Sequence, residues 1–190
     1  MNKLRASYSY MHMWSQGRWQ EAINAYFKLD SFTSRQMAEG RDLHAEWEEE
    51  IKKTKCLPKV FGGKQLNNQI ITEKKFEIPV YDWMTLVLKP DVVSSPDLHE
   101  FKSGSASANE YLDSFQPAVY CVGLTLMDIY IKTIHIHAYN QYTKRSDYSY
   151  RFASKKLLNE GFNFIQTIGG EMYDYFSKNN LFERFGGVKK

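Results

Sequence analysis

The stretch Leu86-Val87-Leu88-Lys89-Pro90-Asp91-Val92-Val93-Ser94-Ser95-Pro96-Asp97-Leu98-His99-Glu100-Phe101-Lys102-Ser103-Gly104 sets two acids and an amine among apolar, β-branched runs. Ser94-Ser95-Pro96-Asp97 has the composition of a four-residue turn between strands. With that turn as a hairpin loop, Val93 pairs with Leu98, and counting outward sets Asp91 opposite Glu100. Side chains alternate along a strand, so Asp91, Glu100 and Lys102 then share one face. Leu86, Leu88, Val92 and Phe101 fall on the other, which reads as a core face. Directly opposed residues hold their Cβ atoms about 5 Å apart, and like charges there repel. A pair of acids so placed calls for a cation. A hard divalent ion, Mg²⁺ or Mn²⁺, takes oxygen ligands and keeps positions open for water and phosphate. The same acids also read as surface carboxylates neutralised by Lys89 and Lys102, and the hairpin alone leaves both readings open.

The histidines and a further acid are weighed the same way. His44 stands beside Leu43 and Trp47 and reads either as a helix histidine or as a ligand. Gly40, one turn earlier on the same face, removes a side chain where a strand can approach. Glu73 precedes the hairpin and reads as solvated. His135 and His137 alternate on one strand face and invite a metal, but the sequence shows no third ligand beside them, so they read as structural.

These side chains need a scaffold, and hydrophobic periodicity outlines it. Ala22, Ile23, Tyr26 and Phe27 predict a helix over Gln20–Leu29. A second helix is predicted from an N-cap at Thr33 or Ser34 to about Lys53, with Leu43, Trp47 and Ile51 as its apolar stripe. Pro58 and Gly62-Gly63 break the pattern. Strands are predicted over Ile70–Ile78, Trp83–Val93 and Leu98–Lys102. A helix follows over Phe115–Met127, then strands over Ile129–Tyr139 and Tyr148–Phe152, and a long helix over Ser154–Lys178, interrupted at Gly169-Gly170. Pro117 disfavours helical geometry at Gln116 and suits the first turn of a helix starting there.

Four motifs occur in the order Gly40-x-x-x-His44, Pro90-Asp91, Glu100-x-Lys102 and Gln116-x-x-x-Tyr120. This ordered set resembles the PD-(D/E)XK nucleases, in particular their RecB-like exonuclease branch, which includes helicase-associated and CRISPR-associated nucleases. The resemblance covers most of the chain. It implies an α/β fold with a restriction-endonuclease-like core, a central mixed β-sheet flanked by helices in a single domain over 1–190. Within it, 1–55 form a helical N-terminal part, 69–152 the catalytic sheet and motif helix, and 153–190 the C-terminal helix and tail. The resemblance implies that Asp91, Glu100, the carbonyl of Phe101 and His44 bind one or two Mg²⁺ or Mn²⁺ ions. Lys102 would hold or activate the attacking water and offset phosphate charge. Gln116 and Tyr120 would line the site or contact nucleic acid.

The activity implied is metal-dependent hydrolysis of DNA phosphodiester bonds, as an exonuclease or endonuclease, in recombination, repair, phage replication or defence. An RNA endonuclease on the same scaffold, and an inactive nucleic-acid-binding subunit, are the alternatives. A helicase or recombination partner, or a homo-oligomer, would have to supply any processivity. The cysteines that hold an iron–sulfur cluster in some relatives are absent, so no cluster is expected.

Composition sets the outer bounds. A chain of 190 residues with 43% hydrophobic side chains fits one domain with a real core. Its net charge of +3 is compatible with a polyanionic partner and far from a histone-like excess. Local lysine runs, such as Lys52-Lys53, read as solvated faces, and the many tyrosines and phenylalanines as packing. Cys56 and Cys121 are the only cysteines, which excludes a four-cysteine metal cluster and points to a reducing compartment. No apolar run is long enough to span a membrane, and Met1-Asn2-Lys3-Leu4-Arg5 is unlike a signal peptide. The expectation is a soluble cytoplasmic protein with no membrane partner.

Overall fold

The chain breaks its second predicted strand at Lys89-Pro90-Asp91, and that break organises the fold. In the computed structural model, which describes residues 2–29, 35–67 and 69–185, the segment before the break is β4 (Met84–Leu88) and the segment after it is β5 (Val92–Ser94). The two lie in different sheets. β4 sits between β1 (Leu4–Ser7), to which it is parallel, and β3 (Phe76–Tyr81), to which it is antiparallel. β5 joins a five-stranded sheet of order β2 (Ile70–Thr72), β5, β6 (Asp97–Ser103), β7 (Thr133–Asn140) and β8 (Arg145–Phe152). Proline has no N–H to give to a ladder, so pairing ends at Pro90 and the chain changes sheet there.

The fold is α/β: mixed sheets flanked by helices. The expectation that 1–55 is helical is corrected by β1, whose Leu4 and Ala6 are buried against β4. α1 (Tyr8–Ser15), α2 (Trp19–Phe27) and α3 (Arg35–Thr54) follow it. The predicted cap at Thr33 or Ser34 lies outside the described residues. The run Ile70–Ile78 is also two strands, separated at Glu73-Lys74-Lys75. A short helix that periodicity did not announce, α4 (Ala108–Leu112), is fixed by a capping box between Ser107 and Glu110. α5 (Gln116–Leu126) then leads into β7 and β8, a long antiparallel pair.

α6 (Lys155–Lys178) is capped by Ser154, whose hydroxyl accepts the Leu157 N–H at 3.2 Å. It buries Leu157, Gly161, Phe164, Ile165, Gly169, Met172 and Phe176, a stripe at helical spacing. The expected interruption at Gly169-Gly170 is absent. Gly169 instead lets the helix close on β4, since a Cβ there would stand 2.8 Å from Met84 Sδ. The chain ends its described part with α7 (Leu181–Arg184).

Two apolar clusters hold the layers. The larger gathers Leu86, Leu88, Val93 and Leu98 with Val119, Val122, Ile134, Ile136, Ile165 and Phe176. The smaller lies under α3 and joins Trp47, Ile51, Leu57, Leu66, Val92 and Phe101. Because residues alternate along β6, the face bearing Glu100 is the face of Leu98 and the larger core. The expectation of one apolar face made by Leu86, Leu88, Val92 and Phe101 is therefore corrected: both faces of this hairpin are buried. Among the described residues, no helix is long and apolar enough to cross a membrane.

Candidate active site

The β5–β6 register pairs Val93 with Leu98 and Val92 with His99, as the turn composition predicts. Ser94 also pairs with Asp97, so the loop is shorter than expected, only Ser95-Pro96. Asp91 lies one residue before β5, at the level of Glu100. The two are linked through backbone donors: the Asp91 N–H donates to Glu100 Oε1 at 3.2 Å, and the Phe101 N–H donates to Asp91 Oδ2 at 2.6 Å.

Glu100 is 1% exposed, and its carboxylate is met by three donors. Besides Asp91 N–H, Lys102 Nζ and Gln116 Nε2 each lie 3.1 Å from Oε2. Burial, and next the Asp91 carboxylate, push its pKa up to about 8. Lys102 lies two residues on, along the same face of β6, with its ammonium 5.8 Å from the centre of the Tyr111 ring. Burial works against its charge, but Glu100 and Asp91 together hold its pKa above the ordinary lysine value. Lys102 is therefore a cation here. Burial also raises Asp91, yet the hydrogen bond from His44, the Lys102 charge and the Phe101 N–H outweigh it, leaving the carboxyl below its ordinary value.

α3 carries His44 to this point, with Nδ1 3.5 Å from Asp91 Oδ1. Gly40 is what lets the helix approach: a Cβ there would sit 2.8 Å from Ser103 Oγ at the end of β6. Below His44, Trp47 packs edge-on to Phe101, with ring centres 5.8 Å apart, and anchors the helix to the sheet.

Glu73 joins the group, which corrects its reading as a solvated acid. It follows β2 with a positive φ of 49°, its N–H donates to the Asp91 carbonyl at 3.0 Å, and its side chain is 15% exposed. Its carboxylate pairs with Lys89. Burial raises its pKa, an effect Lys89 opposes and Asp91 reinforces. His44, Glu73 and Asp91 each offer one ligand atom, all within 4.8 Å of one another. The signal available in the sequence was the polar trio Glu73-Lys74-Lys75 interrupting an apolar run, the mark of a turn that can aim a side chain.

α5 supplies the remaining pair. Gln116 opens the helix with Pro117 beside it in the first turn, and that position aims its amide at Glu100. Tyr120, one turn further, donates its hydroxyl to the Lys89 carbonyl at 3.3 Å, and burial raises its pKa. The structure thus brings together Asp91, Glu100, Lys102, His44, Gln116 and Tyr120 from four separate segments. Phe101 enters through its N–H and its ring, which belongs to the smaller core.

No family model matches the sequence, and no curated protein matches it. Among solved structures the chain is similar to the alkaline exonuclease LHK-Exo of Laribacter hongkongensis, with a TM-score of 0.46 at 11% identity, covering 93% of this chain and 93% of that one. The structure of LHK-Exo in complex with dAMP gives a TM-score of 0.48 at 11% identity, over 93% of each chain.

Proposed function

We propose that this chain is a divalent-metal-dependent deoxyribonuclease of the PD-(D/E)XK type, hydrolysing phosphodiester bonds at the Asp91–Glu100–Lys102 site. The observation that carries the reading is one buried network in which Asp91, Glu100 and Lys102 meet directly, with His44 and Glu73 beside Asp91. Buried carboxylates gathered around a cation are costly to assemble, and perturbed acids of this kind concentrate at functional sites. The ordered motifs in the sequence agree with it.

The donor set fits a hard or borderline dication. Carboxylate oxygens from Glu73 and Asp91 and a nitrogen from His44 lie within reach of one ion. Glu100 and the carbonyl of Phe101 would complete the set on the Asp91 side. Mg²⁺ or Mn²⁺ bound there supplies charge stabilisation for the phosphoryl oxygens and a lowered pKa for water.

The chain's own residues do the rest. Lys102, held as an ammonium, donates to the attacking water or a phosphate oxygen and offsets negative charge built up in the transition state. Gln116 holds Glu100 in place with its amide. Tyr120 fixes the Lys89 carbonyl, and so the strand end from which Asp91 projects. Because burial and the Asp91 carboxylate favour the protonated form of Glu100, loading the site with a dication is linked to proton release.

The test is cleavage of labelled linear and circular DNA, with RNA alongside, in Mg²⁺, Mn²⁺ or EDTA, by the wild type and by Glu100→Ala. Metal-dependent DNA cleavage that the variant loses supports the reading. Equal cleavage by the variant would overturn the site, and cleavage of RNA alone would overturn the substrate.

A further inference from the structure

The face of β6 turned away from Glu100 carries a second group of ligating side chains. In the sequence, His135 and His137 lack a third partner; the parallel β6–β7 register supplies one by setting His99 against His135. Their rings stack with centres 4.6 Å apart and planes 14° from parallel. Asp97, two residues before His99, projects to the same face. One ligand atom from each of Asp97, His99 and His135 lies within 4.8 Å of the others. The group borders a cavity of about 590 Å³ that Leu57, Phe61 and Leu66 also line.

Hydrogen bonds decide which nitrogens are available. The Tyr148 hydroxyl lies 2.8 Å from His135 Nδ1, and His137 Nε2 lies 3.2 Å from His99 Nδ1. In the His99 and His135 rings this leaves Nε2. His135 Nε2 is buried and, among the described residues, has no hydrogen-bond partner, with Asp97 Oδ1 standing 3.4 Å away as its ion-pair partner. A buried nitrogen that makes no hydrogen bond is costly, and a lone pair turned toward a cation accounts for it. Imidazoles whose outer nitrogen is held by a protein partner have their tautomer and ring plane fixed for metal binding.

We propose that Asp97, His99 and His135 form a second metal site, distinct from the Asp91 network, for a divalent ion of borderline softness, zinc(II) foremost. Two imidazoles and one carboxylate are a zinc donor set, and three protein ligands leave a position open to the cavity. Two imidazoles against a single carboxylate disfavour Mg²⁺, which takes mostly oxygen ligands in near-octahedral geometry. His137 does not touch the ion; it positions His99. Burial keeps the rings uncharged, in the form that ligates.

The experiment is equilibrium binding of Zn²⁺ and Co²⁺ to the EDTA-stripped full chain, read by calorimetry and by the visible Co²⁺ spectrum. In Asp91→Asn, which disables the His44–Glu73–Asp91 group, one ion per chain is expected to remain. His137→Phe is expected to lose roughly ten- to a hundredfold in affinity, as for an outer-shell partner, and His135→Gln more than that. A measurement on the wild type needs no variant to fold: Zn²⁺ should shift the Nε2 resonances of both His99 and His135. Absence of Zn²⁺ binding, unchanged affinity in a folded His135→Gln, or loss of the ion in Asp91→Asn would each overturn the proposal.

Discussion

Asp91 and Glu100 are held together by backbone donors against the repulsion of their like charges. The Asp91 N–H reaches Glu100 Oε1 at 3.2 Å, while the Asp91 carboxylate takes the N–H of Phe101, the residue after Glu100, at 2.6 Å. Each acid therefore has a backbone donor from beside the other. This reciprocal pair offsets part of the repulsion between two buried carboxyls and places them before any ligand arrives.

The burial of Glu100 makes stability depend on pH in a definite direction. Its carboxyl holds a proton up to about 8 in the fold, against 4.5 for the ordinary side chain. Across that window the folded chain binds more protons than the unfolded one, so stability falls as pH rises. His99 and His137 act on the acid side, because burial depresses them to about 2 and about 3 from 6.5. Below 6.5 the unfolded chain takes up protons that the folded one refuses, so stability falls as pH drops. Metal-free protein should be most stable near pH 6.5, losing on the order of 1 kcal/mol by pH 8. Urea unfolding in EDTA checks it: Glu100→Gln should flatten the alkaline limb and keep the acid one.

Glu73→Gln separates two roles for that side chain. As a ligand beside His44 and Asp91, its loss should weaken Mn²⁺ binding at least roughly ten- to a hundredfold, measured by calorimetry. Unchanged affinity would leave Glu73 only as the partner of Lys89.

Lys102→Met should lower the cleavage rate at saturating Mn²⁺ by about 10²–10³, as for loss of one preorganised donor. Lys102→Arg should not restore it, because a planar fork does not replace a point charge packed between Glu100 and the Tyr111 ring. Single-turnover kinetics would show it, and wild-type rates in Lys102→Met would remove this residue from the chemistry.

Two glycines of α6 should respond in opposite ways to alanine. At Gly161 a Cβ would stand 2.6 Å from the Ala118 carbonyl oxygen of α5, so Gly161→Ala should destabilise by about 1–3 kcal/mol. The helix that moves also carries Gln116. At Gly170 a Cβ meets nothing within 4 Å among the described residues, and Gly170→Ala should stabilise by about 0.5–1 kcal/mol through backbone entropy. Denaturant midpoints of the two variants give the comparison.

Features with local causes were legible from the order of residues alone. Turn composition at Ser94–Asp97 was enough for the Val93–Leu98 register, and thus for Asp91 at the level of Glu100 with Lys102 on the same face. Helical spacing was enough for α2, for the stripe of Trp47 and Ile51 in α3, and for the span of α6. What depended on distant chain segments was not legible. Pro90 announces the end of a ladder but not that the chain then enters another sheet. The unbroken helix at Gly169 rests on Met84 across the core, and the burial of Glu73 rests on Lys89 and Asp91 closing around a turn. His99 meets His135 only because β6 and β7 run parallel after a long crossover, a pairing that no spacing within either strand encodes. Alternation and turn chemistry act over a few residues, whereas which strand lies beside which is settled by burying the whole apolar surface at once.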